Sequence, residues 1–133
     1  MRYLIDTNIC IYLMNQRSQK VWDKFVDHNT EIALSSITLC ELHYGAHFSQ
    51  NPQKNIKRIE TFVHPFPVLP FEDSAAKQYG IIRADLRRKG THVGKLDTQI
   101  ASIAISQNLT LVTHNEKEFR RVEGLTLENW TTT

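Results

Sequence analysis

The chain has 133 residues, with 16 Lys and Arg against 14 Asp and Glu, six His and a formal net charge of +2. That length suits one compact domain, residues 1–133, and so small a charge excludes a uniformly basic nucleic-acid-binding face, leaving only local basic clusters to grip phosphate. Cys10 and Cys40 are too few for a disulfide framework, no uncharged apolar run is long enough to cross a bilayer, and Met1–Asp6 has no signal-peptide character. The expectation is a soluble cytoplasmic protein with no membrane partner, whose two thiols are free and buried within apolar helix-like stretches.

In chain order, Tyr3-Leu4-Ile5 reads as a short buried strand that stops at Asp6. Helices follow over Thr7–Met14 and about Ser18–Asp27, the second with Val21, Trp22, Phe25 and Val26 on one face. Ile32-Ala33-Leu34 is another strand, and Ser35 or Ser36 can cap a helix over Ile37–Phe48. Asn51-Pro52 opens a helix to about Phe62. Pro67-Val68-Leu69 is a strand, Asp73 can cap the helix through Tyr79, Ile82 and Leu86, and Gly90 ends it. A loop over 90–94 leads into a helix over Leu96–Gln107. Leu109–Thr113 is the clearest strand. A helical turn over Glu116–Phe119 and an edge strand near Leu125–Leu127 close the pattern. Short apolar strands alternating with helices predict an α/β fold, a central and mainly parallel sheet covered by helices on both faces.

In such sheets the ligand site lies beyond the carboxyl ends of the strands. Asp6 falls there, just past the first strand, and His114 and Asn115 follow the strand that ends at Thr113. Glu41 stands on what reads as an apolar stripe, Ile37, Cys40, Tyr44 and Phe48, and a carboxylate facing a core is costly unless paired or bound to a cation. Asp97 shares a face with Ile100, Ala101 and Ala104, although the helix dipole also favours an acid in that first turn. Asp6 could equally be a simple N-cap, its carboxylate oriented by Asn8. Three acids from separate segments at one sheet edge, with no common Lys or Arg partner, call for a divalent cation. Oxygen-only ligands suit Mg²⁺ or Mn²⁺, and the chemistry that fits is phosphodiester hydrolysis.

No P-loop, GxGxxG or GxSxG is present, and Cys40 with His43 lacks the second pair that zinc needs. Basic residues gather at Lys54, Lys57 and Arg58, at Arg83, Arg87, Arg88 and Lys89, and at Lys117, Arg120 and Arg121. Each reads by default as a solvated helix face. Lys95, two residues before Asp97, is a candidate substrate contact at the mouth of the site.

With these residues in place, the chain resembles the PIN-domain ribonucleases of the VapC toxin type. The carriers are Tyr3-Leu4-Ile5-Asp6-Thr7-Asn8, Ser35-Ser36-Ile37-Thr38-Leu39-Cys40-Glu41-Leu42 with Tyr44-Gly45, Gly94-Lys95-Leu96-Asp97, and Leu111–Phe119, completed by Gly124-Leu125 and Glu128-Asn129-Trp130. The resemblance covers nearly the whole chain. It implies a PIN-like three-layer sandwich and a Mg²⁺- or Mn²⁺-dependent endoribonuclease. Asp6, Glu41 and Asp97 match the family's metal-holding acids, with Glu118 carried over as a fourth catalytic acid. Thr7, Asn8, Thr113 and Asn115 match supporting polar positions. The chain departs from the family pattern in having Lys95 after Gly94, where a small residue, Pro or Asn is usual.

The resemblance further implies a VapB-type antitoxin as inhibitor, a homodimer and a hetero-oligomer with that antitoxin, and operator DNA contacted only through the antitoxin. Trp22, Phe25 and Val26 are candidates for an apolar groove that takes an antitoxin helix. The substrate it implies is structured RNA, initiator tRNA cut in the anticodon stem-loop. Two alternatives share the α/β pattern. One is a phospho-accepting signalling domain, although Asp6 lacks the adjacent acid such a domain needs and Asn8 stands where a dehalogenase-type phosphatase has Asp. The other is a non-catalytic RNA-binding module.

Overall fold

The structure, a computed structural model, describes residues 1–132. Five strands, β1 (Tyr3–Ile5), β2 (Ile32–Ser35), β3 (Val68–Leu69), β4 (Thr110–Val112) and β5 (Leu127–Glu128), form one sheet in the order β3-β2-β1-β4-β5. Every ladder is parallel, with Leu4 opposite both Ala33 and Leu111. Seven α-helices link them: α1 (Thr7–Met14), α2 (Gln19–Asp27), α3 (Ser36–His47), α4 (Pro52–Val63), α5 (Asp73–Lys89), α6 (Lys95–Ser106) and α7 (Glu116–Phe119).

Parallel strands need helical crossovers, and the side chains of such strands are buried on both faces. Both consequences are visible. Leu4, Ala33 and Leu111 point into a cluster with Ile82 and Leu86 of α5, Ile100 and Ala104 of α6, and Phe119 of α7. Their chain neighbours Tyr3, Ile5, Ile32, Leu34 and Val112 point the other way, into a cluster with Ile9 and Leu13 of α1, Val21 of α2, Leu42 of α3 and Ile59 of α4. The result is the expected three-layer sandwich, each buried aliphatic contributing roughly 1.5–3 kcal/mol. No helix among the described residues is long and apolar enough to cross a membrane.

Helix ends follow local chemistry. Ser18 and Ser35 accept hydrogen bonds from the Val21 and Thr38 amides at 3.3 and 3.0 Å. Gly90, at φ 68°, ends α5 in the left-handed conformation that favours glycine. Asp73 is the first residue of α5 rather than its cap; Glu72 holds the flanking position and makes no side-chain capping bond. The last strand lies slightly later than expected, at Leu127–Glu128, three residues after Gly124, which has φ 84°.

The largest departure is the face of α3. The stripe that reads as core, Ile37, Cys40, Tyr44 and Phe48, is mostly outward: Tyr44 is 70% and Phe48 81% exposed, their rings stacked 6.0 Å apart. The buried face is Thr38, Leu42 and Ala46. Thr38 is tolerated there because hydroxyls of Ser35 and Thr7 lie 3.3 and 3.2 Å from its Oγ1, so its polar atom is not orphaned. Cys40 is consequently exposed, against the expectation of burial, while Cys10 is fully buried and its thiol pushed well up by desolvation, with the Asp6 charge adding. A thiol reagent such as DTNB should therefore modify Cys40 rapidly in the native protein and Cys10 only after denaturation. Equal rates for the two would contradict this packing.

Candidate active site

The sheet order places a switch point between β1 and β4. From β1 the chain moves to β2 on one side, and it returns through α5 and α6 to lay β4 on the other. Ligand sites in open α/β sheets lie in that crevice, outside the carboxyl ends. Asp6 follows β1 there, Thr113 follows β4, and the first turn of α6 brings Asp97 over the same edge.

Asp6 is only 5% exposed. It is indeed the N-cap of α1, its Oδ1 accepting from the Ile9 amide at 3.0 Å, while Oδ2 accepts from the Thr113 hydroxyl. Thr113 Oγ1 in turn accepts from the Asn115 amide at 2.9 Å, so a backbone N–H stands behind the hydroxyl that holds the acid. Asn8 does not take the orienting role expected of it. It is exposed, and the carboxylate is held by Thr113 and Ile9 instead. Burial pushes Asp6 up to about 6, with the Glu41 charge adding and the Thr113 and Ile9 hydrogen bonds opposing.

Glu41 is half-buried on α3. Its Oε1 accepts from Thr7 Oγ1 at 2.6 Å. Thr7 has a single hydroxyl proton, and an ionised carboxylate can only accept, so that proton is committed to Glu41. The chain of hydroxyls from Ser35 through Thr38 to Thr7 ties this acid back to the end of β2.

Asp97 is pushed up to about 6, by desolvation first and then by the charges of Glu118, Glu41 and Asp6. Asp97 thus feels the charge of each of the other three acids. Among the described residues none of the four forms an ion pair with a Lys or Arg. Glu118 differs from the others, since both its oxygens are committed. Oε1 accepts from the Gly94 amide at 3.0 Å and Oε2 from Asn115 Nδ2 at 2.7 Å, and these bonds, with the Gly94 amide foremost, lower its carboxyl below the usual range. A Cβ built on Gly94 would stand 3.9 Å from Glu118 Oε1 and 4.0 Å from Asp97 Oδ2, so the glycine brings the two acids against one loop. Lys95 opens α6, exposed. His114 is exposed too, its Nδ1 3.1 Å from Thr131 Oγ1.

The donor chemistry fits a hard divalent cation. All four groups are oxygen donors, two of the carboxyls are raised by burial and mutual repulsion, and among the described residues no Lys or Arg forms an ion pair with any of them. No three His, Cys, Asp or Glu side chains among the described residues form a ready-made metal cage. An ion that keeps several waters and takes one or two carboxylates directly does not require one.

Sequence reasoning missed Ser35 and Thr38 as supports of the site, and it missed buried Asn129, whose Oδ1 accepts from the Thr131 amide at 2.9 Å. The signal for Thr38 was present in its i+3 spacing from a capping serine. The signal for Asn129 was not, since nothing local marks a buried asparagine after a two-residue strand.

A parallel sheet in this order, with carboxylates from β1, α3 and α6 meeting at its carboxyl edge, defines a class, and the family comparison agrees. The chain belongs to the PIN domain family, whose model matches residues 3–125. Within that family it is similar to VapC ribonucleases. It is 42% identical over 130 residues to the tRNA(fMet)-specific endonuclease VapC of Shigella flexneri, covering 98% of each chain. Among solved structures it resembles the DNA-bound VapBC of Salmonella typhimurium, with TM-score 0.93 and 39% identity over 98% of both chains. It also resembles VapBC2 of Rickettsia felis bound to a DNA fragment from their promoter, with TM-score 0.92 and 38% identity over 98% of this chain and 99% of that one. The resemblance read from the sequence is thus borne out, and the chain is a nuclease of the VapC toxin type.

Proposed function

We propose that the chain acts as one PIN unit over residues 1–133, as the toxin of a type II toxin–antitoxin module and as a Mg²⁺- or Mn²⁺-dependent endoribonuclease. The carrying observation is the placement of Asp6, Glu41 and Asp97, from three separate elements, at the switch point with no Lys or Arg ion pair among the described residues. Asp6, Asp97 and Glu41 would hold the ion. A bound divalent cation supplies positive charge for the phosphoryl oxygens and makes a nearby water more acidic. Thr113 and the Ile9 amide fix Asp6, and Thr7 fixes Glu41 through Oε1, leaving Oε2 as the acceptor for a water proton. Water oxygen adds to phosphorus as the P–O bond to the ribose oxygen of the leaving strand breaks; the water proton passes to a carboxylate and the leaving oxygen takes a proton from solvent. Glu118, with Asn115, holds the loop that opens α6 and so sets the height of Asp97.

A phospho-accepting Asp6 is disfavoured by its surroundings. It is followed by Thr7, not by the second acid that such a domain needs to hold Mg²⁺ beside a phosphodonor, and the VapC relatives are named as nucleases.

The likeness to a tRNA(fMet)-specific endonuclease supports initiator tRNA, cut in the anticodon stem-loop, as the substrate, and hence the cytoplasm as the site of action. The VapBC neighbours support a VapB-type antitoxin as inhibitor, a toxin homodimer within the complex, and operator contact through the antitoxin alone. Trp22 and Val26 remain exposed on α2 as candidates for the antitoxin groove, whereas Phe25 packs on Phe62 and Phe66 and serves the core. Purified chain incubated with initiator and elongator tRNA in Mg²⁺ should cut the initiator in its anticodon stem-loop, and EDTA should stop the reaction. Equal cutting of both tRNAs would remove the substrate claim; no cutting in any divalent metal would remove the nuclease claim.

A further inference from the structure

One of the three basic clusters of this chain borders the acidic site. Segment 83–95 carries five Lys and Arg and a single acid, Asp85, in a chain whose formal net charge is only +2. Lys89 is neutralised there, its Nζ lying 2.9 Å from Asp85 and 3.2 Å from Glu123. Arg83, Arg87 and Arg88 make no ion pair or hydrogen bond among the described residues; Arg83 only lies over the Tyr79 ring, 5.8 Å from its centroid. Arg83 and Arg87 are four residues apart on α5, so they lie on one helix face about a turn apart.

These two arginines line a groove whose other wall is Thr91, His92 and Val93. The wall is built, not incidental. Arg121 Nη1 donates to the His92 carbonyl at 2.7 Å, and Gly90 folds the chain back so that the Thr91 amide donates to Leu86. The next two residues along that wall are Gly94, held by Glu118, and Lys95, at the first turn of the helix that carries Asp97. The groove and the acidic site therefore share one loop. Its outer end presents guanidinium forks with free donors and its inner end presents carboxylates that call for a metal.

We propose that this groove, Arg83 and Arg87 on one side and Thr91–Val93 on the other, binds the phosphate backbone of the RNA flanking the scissile bond. Guanidinium groups match phosphate oxygens in bidentate geometry, and an unpaired arginine pays no internal ion pair to do so. The basic cluster on α4 is a weaker candidate. Arg58 already donates to the Met14 carbonyl and to Asn15 Oδ1 at 3.0 and 3.2 Å, and the groove beside it is floored by Met14 and Phe62. The inference rests on the ribonuclease reading and adds the path of the substrate to it.

The test uses the full chain carrying Asp6→Asn, so that RNA is bound but not cut, with a fluorescein-labelled anticodon stem-loop RNA as probe. Arg83→Ala and Arg87→Ala should each weaken binding about ten-fold at moderate salt and lower the slope of log affinity against log salt by about 0.7–0.9. Arg87→Lys should recover the slope but only part of the affinity, having charge without the fork. In the chain with Asp6 intact, the double alanine variant should raise KM for the stem-loop and leave turnover of a small phosphodiester, bis(p-nitrophenyl) phosphate, unchanged. Lys54→Ala with Lys57→Ala should change neither. The proposal is overturned if the arginine variants keep wild-type affinity and salt slope, or if the α4 pair carries the effect. It is also overturned if the arginine variants lose affinity for the antitoxin and not for RNA. If the wild type neither binds nor cuts RNA, the ribonuclease reading falls with it; if the wild type cuts and the variants are unaltered, the groove alone falls.

Discussion

Asp97→Asn protein is expected to lose at least about a hundred-fold of its Mg²⁺-supported RNA cleavage rate and yet, in EDTA near neutral pH, to melt at a higher temperature than the wild type. The two effects have one cause. Asp97 sits among Glu118, Glu41 and Asp6, and its ionised form is opposed by desolvation and by all three charges. An amide of the same shape removes that repulsion and, with it, a ligand. Asp6→Asn should be similarly inactive, but with a smaller gain in stability, because the carboxylate it replaces accepts from both Thr113 and the Ile9 amide. Paired measurements of initial rate and of melting in EDTA check this. An acid that served only as a cap would show the reverse pattern: activity kept and stability lost.

The second expected result concerns pH. Asp6 and Asp97 each have a folded-state value of about 6, against roughly 3.9 for an unfolded aspartate. The folded chain therefore holds more protons than the unfolded one between about pH 4 and 6, and these groups make stability rise as pH falls through that window. Above about pH 7 both are ionised and their cost is complete, of order 3 kcal/mol for buried Asp6 and less for the half-exposed Asp97. Glu118 has the opposite sign. Its lowered value contributes stability above the ordinary glutamate range, and that contribution is lost on further acidification. Metal-free protein should thus melt higher near pH 5 than near pH 7.5, and fall again in stronger acid. Added Mg²⁺ should raise the melting temperature near pH 7.5 by several degrees and do little near pH 5, where protons compete for the same oxygens. Thermal melts at both pH values, with EDTA or with Mg²⁺, decide it. A metal shift of equal size at both would separate the ion from these carboxylates.

Much of this was legible from residues alone, for reasons that differ by element. Tyr3-Leu4-Ile5 and Leu109–Thr113 are short apolar runs cut off by polar residues, and a parallel strand buried on both faces looks like that. Asp6 and Asp97 were legible because carboxylates among apolar neighbours are costly. Helix α3 was misread because periodicity counts apolar residues, and here the buried face is partly built from Thr38, whose hydroxyl is satisfied from Ser35 and Thr7. Tyr44 and Phe48 then fall on the outer face, stacked on each other and exposed to solvent. Asn8 was misjudged for a related reason: proximity in sequence suggested it as the partner of Asp6, but the partner came from the end of the neighbouring strand β4, 107 residues away in the chain.

The order of the strands has a consequence for how the chain becomes dangerous to the cell that makes it. Its first acid is synthesised at residue 6, but the strand that closes the open side of β1, and the threonine that clasps that acid, arrive only after residue 109. A nascent chain therefore carries unassembled fragments of a nuclease through most of its own translation. Destructive capacity emerges in one late step, as β4 slots in beside β1 and Thr113 reaches Asp6.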